Sequence, residues 1–511
     1  MRLTRRAVTV RLFFAVFLVY CAVANGYIDV ADGDVSYRVA RSLALHGTVE
    51  VSTQGDEPPP GPISPIRPGG KAYATFGLGA ALEFVPSVWL GYVLPVSRHL
   101  RDEAARALAS FTHPLWGAAT VAGVYLVATG LGYSALAGLG ASLSLALASP
   151  WWFHSKSSHS EVAQGAALCF AVLLLHGLDD ASDRRQRLWL ASGGALLLAA
   201  LVLLKVANAP AACVLIGVVA ISAIRRRSPD RWATLGLLAL GVLGALVIVG
   251  AYNHARFGSV LETGYGAVAA GFTLAAVPQN LVRYLVDPRR GLLVFAPLLV
   301  LGAFGYVTMG MSARQRAWRK LALAGGLFLA LPYFLWPYGT PDFYGVRFLV
   351  PLLPLLAVGL AGVLDLPALR APRRIGRLGI AVLVAWSLST EVVGVLVSPS
   401  EFQYLAWRSL GTGELPASFP NWQAAWVLAV SKARGRPEVY PPQTFGLPPG
   451  RPVDLSMYES FQGFNVWSAH AARQLHLPWI RLAGWIPALL GLAMIGRVLA
   501  RDGPVTVKPD T

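Results

Sequence analysis

The chain has few charged residues for its length. Asp, Glu, Lys and Arg make up 14% of its 511 residues, whereas soluble domains carry about 25%. Hydrophobic residues make up 55% of the sequence and recur in long runs along almost all of it. The deficit of charge argues against a string of soluble domains and indicates one unit embedded in a membrane.

Cysteine is also scarce. The three cysteines, Cys21, Cys169 and Cys213, are widely spaced, and each lies within an apolar run. An odd number at such spacing gives neither a disulfide framework nor a metal-binding signature. We interpret them as small apolar residues of the core.

Several functional signatures are missing as well. The sequence has no glycine-rich P-loop and no nucleotide-binding pattern, which argues against a nucleotide as the donor of a transferred group. It shows no internal repeat of the kind found in many transporters. The net charge of +17 does not indicate nucleic-acid binding, because the basic residues occur in short clusters between apolar runs rather than in one patch.

Apolar segments long enough to cross a bilayer recur throughout the chain, since a spanning helix needs about 20 mostly apolar residues. We predict twelve such helices, near residues 10–28, 110–130, 133–149, 161–177, 189–208, 210–224, 232–253, 291–310, 321–337, 348–364, 378–398 and 479–499. The predicted fold is therefore an all-α integral membrane protein with helices in its external loops.

One further apolar segment covers residues 74–95. Counting it as a spanning helix would give an odd number of crossings between two loops that are both predicted to be external. Residues 29–72 and 150–160 must both be external, and three apolar segments lie between them, so an even number of these must cross. We therefore predict that 74–95 is an interfacial or re-entrant helix. Arg98, Arg101 and Arg106 argue against this reading, because they would suit a cytoplasmic loop. The count is therefore 12 crossings, or 13 if one terminus is misplaced.

Basic clusters set the predicted orientation, because Lys and Arg concentrate in cytoplasmic loops. Four clusters separate the apolar runs and begin at Arg184, Arg225, Arg314 and Arg370. Placing all four inside, together with the N-terminus, fits every helix from residue 161 onward. We predict a multi-pass protein of the cell (inner) membrane with a cytoplasmic N-terminus.

The same map predicts three regions. Residues 1–398 form a polytopic core, with residues 29–72 as its first external loop. Residues 399–478 form an external loop or a small cap, rich in Pro and Trp. Residues 479–511 form the last transmembrane helix and a cytoplasmic tail.

The first external loop carries three carboxylates directly after the first predicted helix. Asp29, Asp32 and Asp34 fall within six residues. Carboxylates this close to a membrane surface can act as a general base or bind a divalent metal. The alternative is a solvated acidic cluster or a helix cap, and the sequence leaves the metal requirement open.

A second polar cluster precedes the predicted helix at residue 161. His154 and His159 are five residues apart, which is not the helical metal-binding spacing. His159 and Glu161 either form a polar turn that caps this helix or line a polar cavity.

Basic residues also occur at predicted external helix ends, although Lys and Arg usually concentrate in cytoplasmic loops. They are Arg256, Arg289, Arg290 and Arg347. Arginine binds phosphate through two parallel hydrogen bonds, so we expect an external phosphate site. Lys205, within an apolar run, is expected either to snorkel to the surface or to reach a cavity.

These motifs, taken in order, resemble the GT-C class of polytopic glycosyltransferases, especially bacterial relatives of the dolichyl-phosphate-mannose protein mannosyltransferases. The resemblance covers residues 1–365. It rests on Gly33, Asp34 and Tyr37 in the first loop and on the stretches 70–79, 252–258, 290–297 and 344–354.

The resemblance implies a GT-C-like fold and a sugar transferase that uses a polyprenyl-phosphate donor on the extracytoplasmic face. A glycan, lipid or protein would be the acceptor. Asp34 matches the catalytic base of the family. The acidic residue that commonly follows it is Val35 here, and Asp32 is the carboxylate that could compensate.

The expected site therefore has two parts. Asp34 and Asp32 are the catalytic candidates. The candidates for substrate binding are Tyr37, His159, Glu161, Lys205, Arg256 and Arg347. The last three are expected on the phosphate side, where cations stabilise the departing charge.

Two other functions stay open. A transporter or flippase of a lipid-linked or anionic substrate would also use charges at membrane depth. A non-catalytic GT-C-like protein of the envelope would account for Val35. All three readings include membrane lipids as partners and exclude nucleic acid.

Overall fold

The structure is a computed structural model and is almost entirely helical. It describes residues 4–51, 71–228, 230–265, 271–309, 312–337, 344–366, 374–398, 401, 405, 409, 411, 421–434, 439–445, 447–454 and 464–501. Parts of the predicted 399–478 region and most of the predicted tail lie outside these residues.

The first half of the described chain contains twelve α-helices. They are α1 (Arg5–Val23), α2 (Ala31–His46), α3 (Leu78–Leu82), α4 (Val85–Val93), α5 (Arg101–Ala109), α6 (Thr112–Gly130), α7 (Ala135–Leu147), α8 (Pro150–Lys156), α9 (Glu161–Gly177), α10 (Arg184–Leu204), α11 (Ala209–Arg225) and α12 (Arg231–Phe257). Short 3₁₀ turns cover Arg98–Leu100 and Val206–Asn208.

The second half contains ten more α-helices in the residues described. They are α13 (Val277–Val286), α14 (Leu292–Phe295), α15 (Pro297–Thr308), α16 (Ala313–Leu335), α17 (Leu353–Leu364), α18 (Arg374–Leu396), α19 (Asn421–Arg434), α20 (Trp467–Gln474), α21 (Trp479–Ala483) and α22 (Ile486–Arg501). The 3₁₀ turns here are Leu274–Ala276, Arg347–Leu352 and Pro442–Phe445. Two short antiparallel strands, β1 (Val439–Tyr440) and β2 (Val453–Asp454), pair with Tyr440 opposite Val453.

Local sequence signals place several helix ends. Ser149 accepts a hydrogen bond from the main chain of Trp151 at the start of α8, where Pro150 already has the fixed φ of a first helical residue. Ser312 and Gln315 form a capping box at the start of α16. Gly47 ends α2 with a φ of +66°, a conformation that disfavours residues with a Cβ.

Seven helices of the described chain are long and apolar enough to cross a membrane, or eight if the bent pair α7–α8 is one span. Each of the twelve predicted segments contains a helix, so the all-α, multi-pass prediction is confirmed. By helix length and composition, the seven or eight candidate spans are fewer than the 12 or 13 crossings predicted. Several remaining segments form shorter or broken helices, such as α9 with 17 residues and the α14–α15 pair.

Small residues let neighbouring helices approach closely, as in other membrane bundles. A Cβ on Gly302 or Gly305 of α15 would collide with the main chain of α17. Gly491 of α22 lies against the main chain of Ala15 in α1. The last helix of the chain therefore packs on the first.

The segment 74–95 does not form one continuous helix. It contains α3 and α4, and α4 packs against α5 so closely that a Cβ on Gly91 would lie 2.5 Å from Ala105. Arg106 of α5 forms an ion pair with Asp34 of α2. Arg106 therefore lies on the same side of the helix bundle as Asp34 and the rest of α2, as the prediction of a segment that does not cross requires.

Candidate functional site

The start of α2 packs against the turn between α8 and α9 and forms a hydrogen bond with it. A main-chain N–H of Ser158 donates to the Asp29 carboxylate over 2.8 Å. A Cβ on Gly33 would lie 2.5 Å from Cβ of Ser158, so only glycine permits this close approach. The contact brings Asp32, in the first turn of α2, to the N-terminus of α9.

Arg347 joins two carboxylates at this point. Its Nη2 lies 2.5 Å from Oδ2 of Asp32, and its Nε lies 3.0 Å from Oε1 of Glu161. The Glu161 side chain is 3% exposed, whereas the Asp32 side chain is 31% exposed. Glu161 is therefore buried, whereas the Asp32 carboxylate is accessible to another molecule.

Lys205 lies next to this cluster, at the break between α10 and α11. Its ammonium group lies 4.4 Å from the centre of the Phe348 ring and 5.0 Å from that of Tyr333. Both rings attract a cation through their π faces. Among the residues that the structure describes, no carboxylate lies within ion-pair distance of Lys205.

Two glycines of the 70–79 motif, Gly77 and Gly79, explain how the start of α3 packs against the end of α10, next to Lys205. A Cβ on Gly77 would lie 2.6 Å from the main-chain oxygens of Leu203 and Leu204, and one on Gly79 would meet the same residues. The pair of glycines lets the segment lie directly on the end of α10. The motif therefore packs directly against the residues that precede Lys205.

His159 completes the cluster. Its Nδ1 lies 3.7 Å from Oδ2 of Asp32, and its side chain is 3% exposed. Burial, followed by the charge of Arg347, holds the pKa of the imidazole well below its ordinary value. His159 is therefore neutral at pH 7 and does not add a further positive charge.

Asp34 lies in a different network. Its carboxylate accepts a hydrogen bond from Nε of Arg38 over 2.7 Å and forms an ion pair with Arg106 of α5. Side chains two residues apart on a helix point about 200° apart, so Asp34 and Asp32 face different neighbours. The structure places Asp34 between arginines of the loop helices and Asp32 beside Arg347.

Tyr37 belongs to the same network as Asp34. Its hydroxyl donates to Oδ1 of Asp102 over 2.8 Å, and Arg41 and Arg106 also bind that carboxylate. Burial works against ionisation of Asp102, but Arg106 and Arg41 outweigh it, so the pKa of this carboxyl lies below its ordinary value. The contacts of Tyr37 join α2 to α5.

Arg256 binds the segment that precedes α3 and packs against the end of α10. Its guanidinium group donates to the main-chain oxygens of Ala74 and Phe76 and to the side chain of Asn253. It lies over the Tyr252 ring, 3.9 Å from its centre. The structure therefore joins Arg256 to this segment and not to the two carboxylates that bind Arg347.

Five of the eight predicted site residues meet at one place: Asp32, His159, Glu161, Lys205 and Arg347. Three others, Asp34, Tyr37 and Arg256, lie in flanking networks. The sequence analysis did not select Tyr333 and Phe348, which cradle Lys205, because aromatic residues are common in apolar runs. We define the five residues that meet as the Arg347 cluster.

The Arg347 cluster contains two carboxylic acids, Asp32 and Glu161, and two basic side chains, Lys205 and Arg347. No group of three or more His, Cys, Asp and Glu side chains in the described chain is arranged to hold a metal ion. A guanidinium group occupies the space between the two carboxylates. The arrangement suits an anionic group bound beside an accessible base.

Comparisons with known proteins give distant structural similarity only. No protein-family model and no curated protein matches the chain. ArnT from Cupriavidus metallidurans bound to undecaprenyl phosphate shares 17% identity at a TM-score of 0.48, over 96% of this chain and 77% of that chain. The oligosaccharyltransferase AglB from Archaeoglobus fulgidus, in complex with an inhibitory peptide and a dolichol-phosphate, shares 14% at 0.45, over 79% of this chain and 58% of that chain.

Proposed function

We propose that this chain is a membrane glycosyltransferase of the GT-C type. It moves a sugar from a polyprenyl-phosphate donor to an acceptor on the extracytoplasmic face. The observation that supports this most directly is the Arg347 cluster, in which an accessible carboxylate lies beside two cations. Transfer from a lipid phosphate needs both, a base for the acceptor and positive charge for the leaving group.

Asp32 is the proposed base. An acceptor hydroxyl attacks the anomeric carbon of the sugar, and its proton passes to the carboxylate of Asp32. The bond between the anomeric carbon and the phosphate oxygen breaks, and polyprenyl phosphate leaves with the electron pair. The resemblance favoured Asp34 for this role. Two arginines, Arg38 and Arg106, bind the Asp34 carboxylate, which is 22% exposed, whereas one arginine, Arg347, binds that of Asp32, which is 31% exposed.

Lys205 is the proposed phosphate ligand. Its ammonium group contacts the aromatic rings of Phe348 and Tyr333, and no described carboxylate is close enough to neutralise it directly. Arg347 supplies the second positive charge. Together they stabilise the negative charge that develops on the phosphate as the bond to the sugar breaks.

Glu161 and His159 are the proposed positioning residues. Glu161 is nearly fully buried and holds Arg347 by its Nε, so the Nη2 of the guanidinium is presented to Asp32. The neutral imidazole of His159 contributes no competing charge beside the base. The carboxylate and the guanidinium are thereby held in a fixed orientation for catalysis.

Val35 does not count against an active enzyme. Its side chain is fully buried in an apolar cluster with Val39 and Phe84. An acidic residue at this position would face that cluster and not Arg347. The substitution therefore removes no carboxylate from the proposed site, which favours the enzyme over the non-catalytic reading.

The test is transfer of radiolabelled sugar from a panel of polyprenyl-phosphate hexoses and pentoses, with the full-length protein in proteoliposomes. We expect Asp32→Asn to reduce transfer by about 10²–10⁴-fold, while Asp34→Asn at matched expression retains most of it. Equal activity in the wild type and Asp32→Asn would contradict the assignment. No transfer by the folded wild type from any donor would contradict the enzyme itself.

A further inference from the structure

A second basic site lies at the opposite end of the same helices. α9 begins at Glu161 in the Arg347 cluster, and α10 ends beside Lys205. These helices contain 17 and 21 residues, and at 1.5 Å per residue they are about 25–32 Å long. Their far ends therefore lie about one hydrocarbon thickness from the Arg347 cluster.

A cavity of about 800 Å³ opens between the far ends of α9, α11, α12 and α16. Its wall carries six basic side chains and a single carboxylate, that of Asp179. The basic residues are Arg187, Arg225, Arg226, Arg231, Arg316 and Lys320. We call this space the basic cavity.

The carboxylates near the basic cavity do not balance its charge. Asp230 lies 2.7 Å from Arg187, and Asp179 lies 3.2 Å from Arg226. Within the described ranges, Arg225 and Arg231 form no ion pair with a carboxylate, and the same holds for Lys320. The wall therefore has a net positive charge that the surrounding protein does not neutralise.

A buried hydroxyl group on the wall also lacks a partner. Thr234 is 3% exposed, it lines the basic cavity, and its Oγ1 forms no hydrogen bond with any described residue. Leu175, Leu178 and Leu321 form an apolar part of the same wall. The cavity thus combines cations and a hydroxyl donor with a hydrophobic side.

We propose that the basic cavity binds the phosphate group of an anionic ligand, and that a membrane phospholipid headgroup is its source. Arginine is suited to phosphate by its planar pair of donors, and basic pockets between helix ends attract anionic headgroups. The apolar part of the wall fits the start of an acyl chain. This site is separate from the Arg347 cluster and does not depend on the glycosyltransferase proposal.

The experiment uses the full-length protein in nanodiscs that contain equal amounts of phosphatidylglycerol and phosphatidylcholine. After transfer to mild detergent, native mass spectrometry measures which lipid each protein retains. We expect the wild type to retain phosphatidylglycerol selectively and the double variant Arg225→Gln with Arg231→Gln to lose this preference by about tenfold. The control double variant is Arg185→Gln with Arg497→Gln, two exposed arginines outside the cavity wall.

A second measurement, equilibrium dialysis with radiolabelled inorganic phosphate, distinguishes the two sources of the ligand. Lipid retention without phosphate binding supports a headgroup. Phosphate binding that the cavity variant loses, without lipid selectivity, supports a soluble phosphate compound at the same site. If the wild type binds neither, or if wild type, cavity variant and control behave alike, the proposal is wrong. Lys320→Met provides an independent cavity variant if the double variant unfolds.

Discussion

Asp32 and Asp34 lie two residues apart on α2 and bind different cations. Arg347 lies 2.5 Å from Asp32, and Arg38 lies 2.7 Å from Asp34. The first contact joins α2 to the Arg347–Leu352 turn, and Arg347 also binds Glu161 at the start of α9. The second keeps Asp34 within the packing of α2 and α5, so the two aspartates are expected to have separable roles.

We predict that Asp34→Ala destabilises the protein more than Asp32→Ala does. Removing Asp34 leaves two arginines, Arg38 and Arg106, without their shared carboxylate. Because Asp34 is 22% exposed, we expect a moderate loss of about 1–3 kcal/mol. The thermal midpoint Tm in detergent, followed by tryptophan fluorescence, measures the difference. An equal Tm for both variants would show that the Asp34 contacts are not structural.

The sequence was sufficient to locate the helices, because long apolar runs and caps such as Ser312 are local signals. It was also sufficient to select the five residues of the Arg347 cluster as candidates. The resemblance assigned the base to Asp34, whereas we propose Asp32. The sequence could not predict which aspartate lies beside Arg347, since that depends on where α2 begins and which face of it meets α9. Nor could it predict that Phe348 and Tyr333 hold Lys205, because the contact joins segments far apart in the chain.

We predict that Lys205→Met weakens use of the donor, while Lys205→Arg restores part of it. Methionine keeps the apolar contact with Phe348 and Tyr333 but removes the positive charge proposed for the phosphate. The expected result is a fall in kcat/KM of about 10²–10³-fold. Initial rates over a range of donor concentrations measure it. Arg185→Met, which removes an exposed basic residue outside the Arg347 cluster, is the control and should leave kcat/KM unchanged.

We predict that His159 makes the protein less stable in mild acid. Its pKa is held down in the folded protein, while in the unfolded chain it is about 6.5. The unfolded chain therefore binds a proton below that pH and the folded chain does not, so stability is full above about pH 6.5 and falls as the pH decreases toward the folded pKa.

His159→Gln should accordingly reduce the drop in Tm between pH 7 and pH 5. Differential scanning fluorimetry in detergent at half-unit pH steps measures the slope. His99→Gln changes an exposed histidine and should leave the slope as in the wild type. Parallel slopes for the wild type and His159→Gln would show that this histidine is not the group that titrates.

Gly33→Ala tests whether the close contact between α2 and the turn before α9 sets the geometry of the site. The added Cβ would lie 2.5 Å from Cβ of Ser158 and 2.8 Å from its main-chain oxygen, so the start of α2 must move away. Because that movement separates Asp32 from Arg347, we expect both Tm and sugar transfer to fall. Gly236→Ala is the matched control, since a Cβ there meets nothing within 4 Å and alanine favours a helix by about 1 kcal/mol. If Gly33→Ala kept full transfer at a lowered Tm, the Asp32–Arg347 contact would not be required for the reaction.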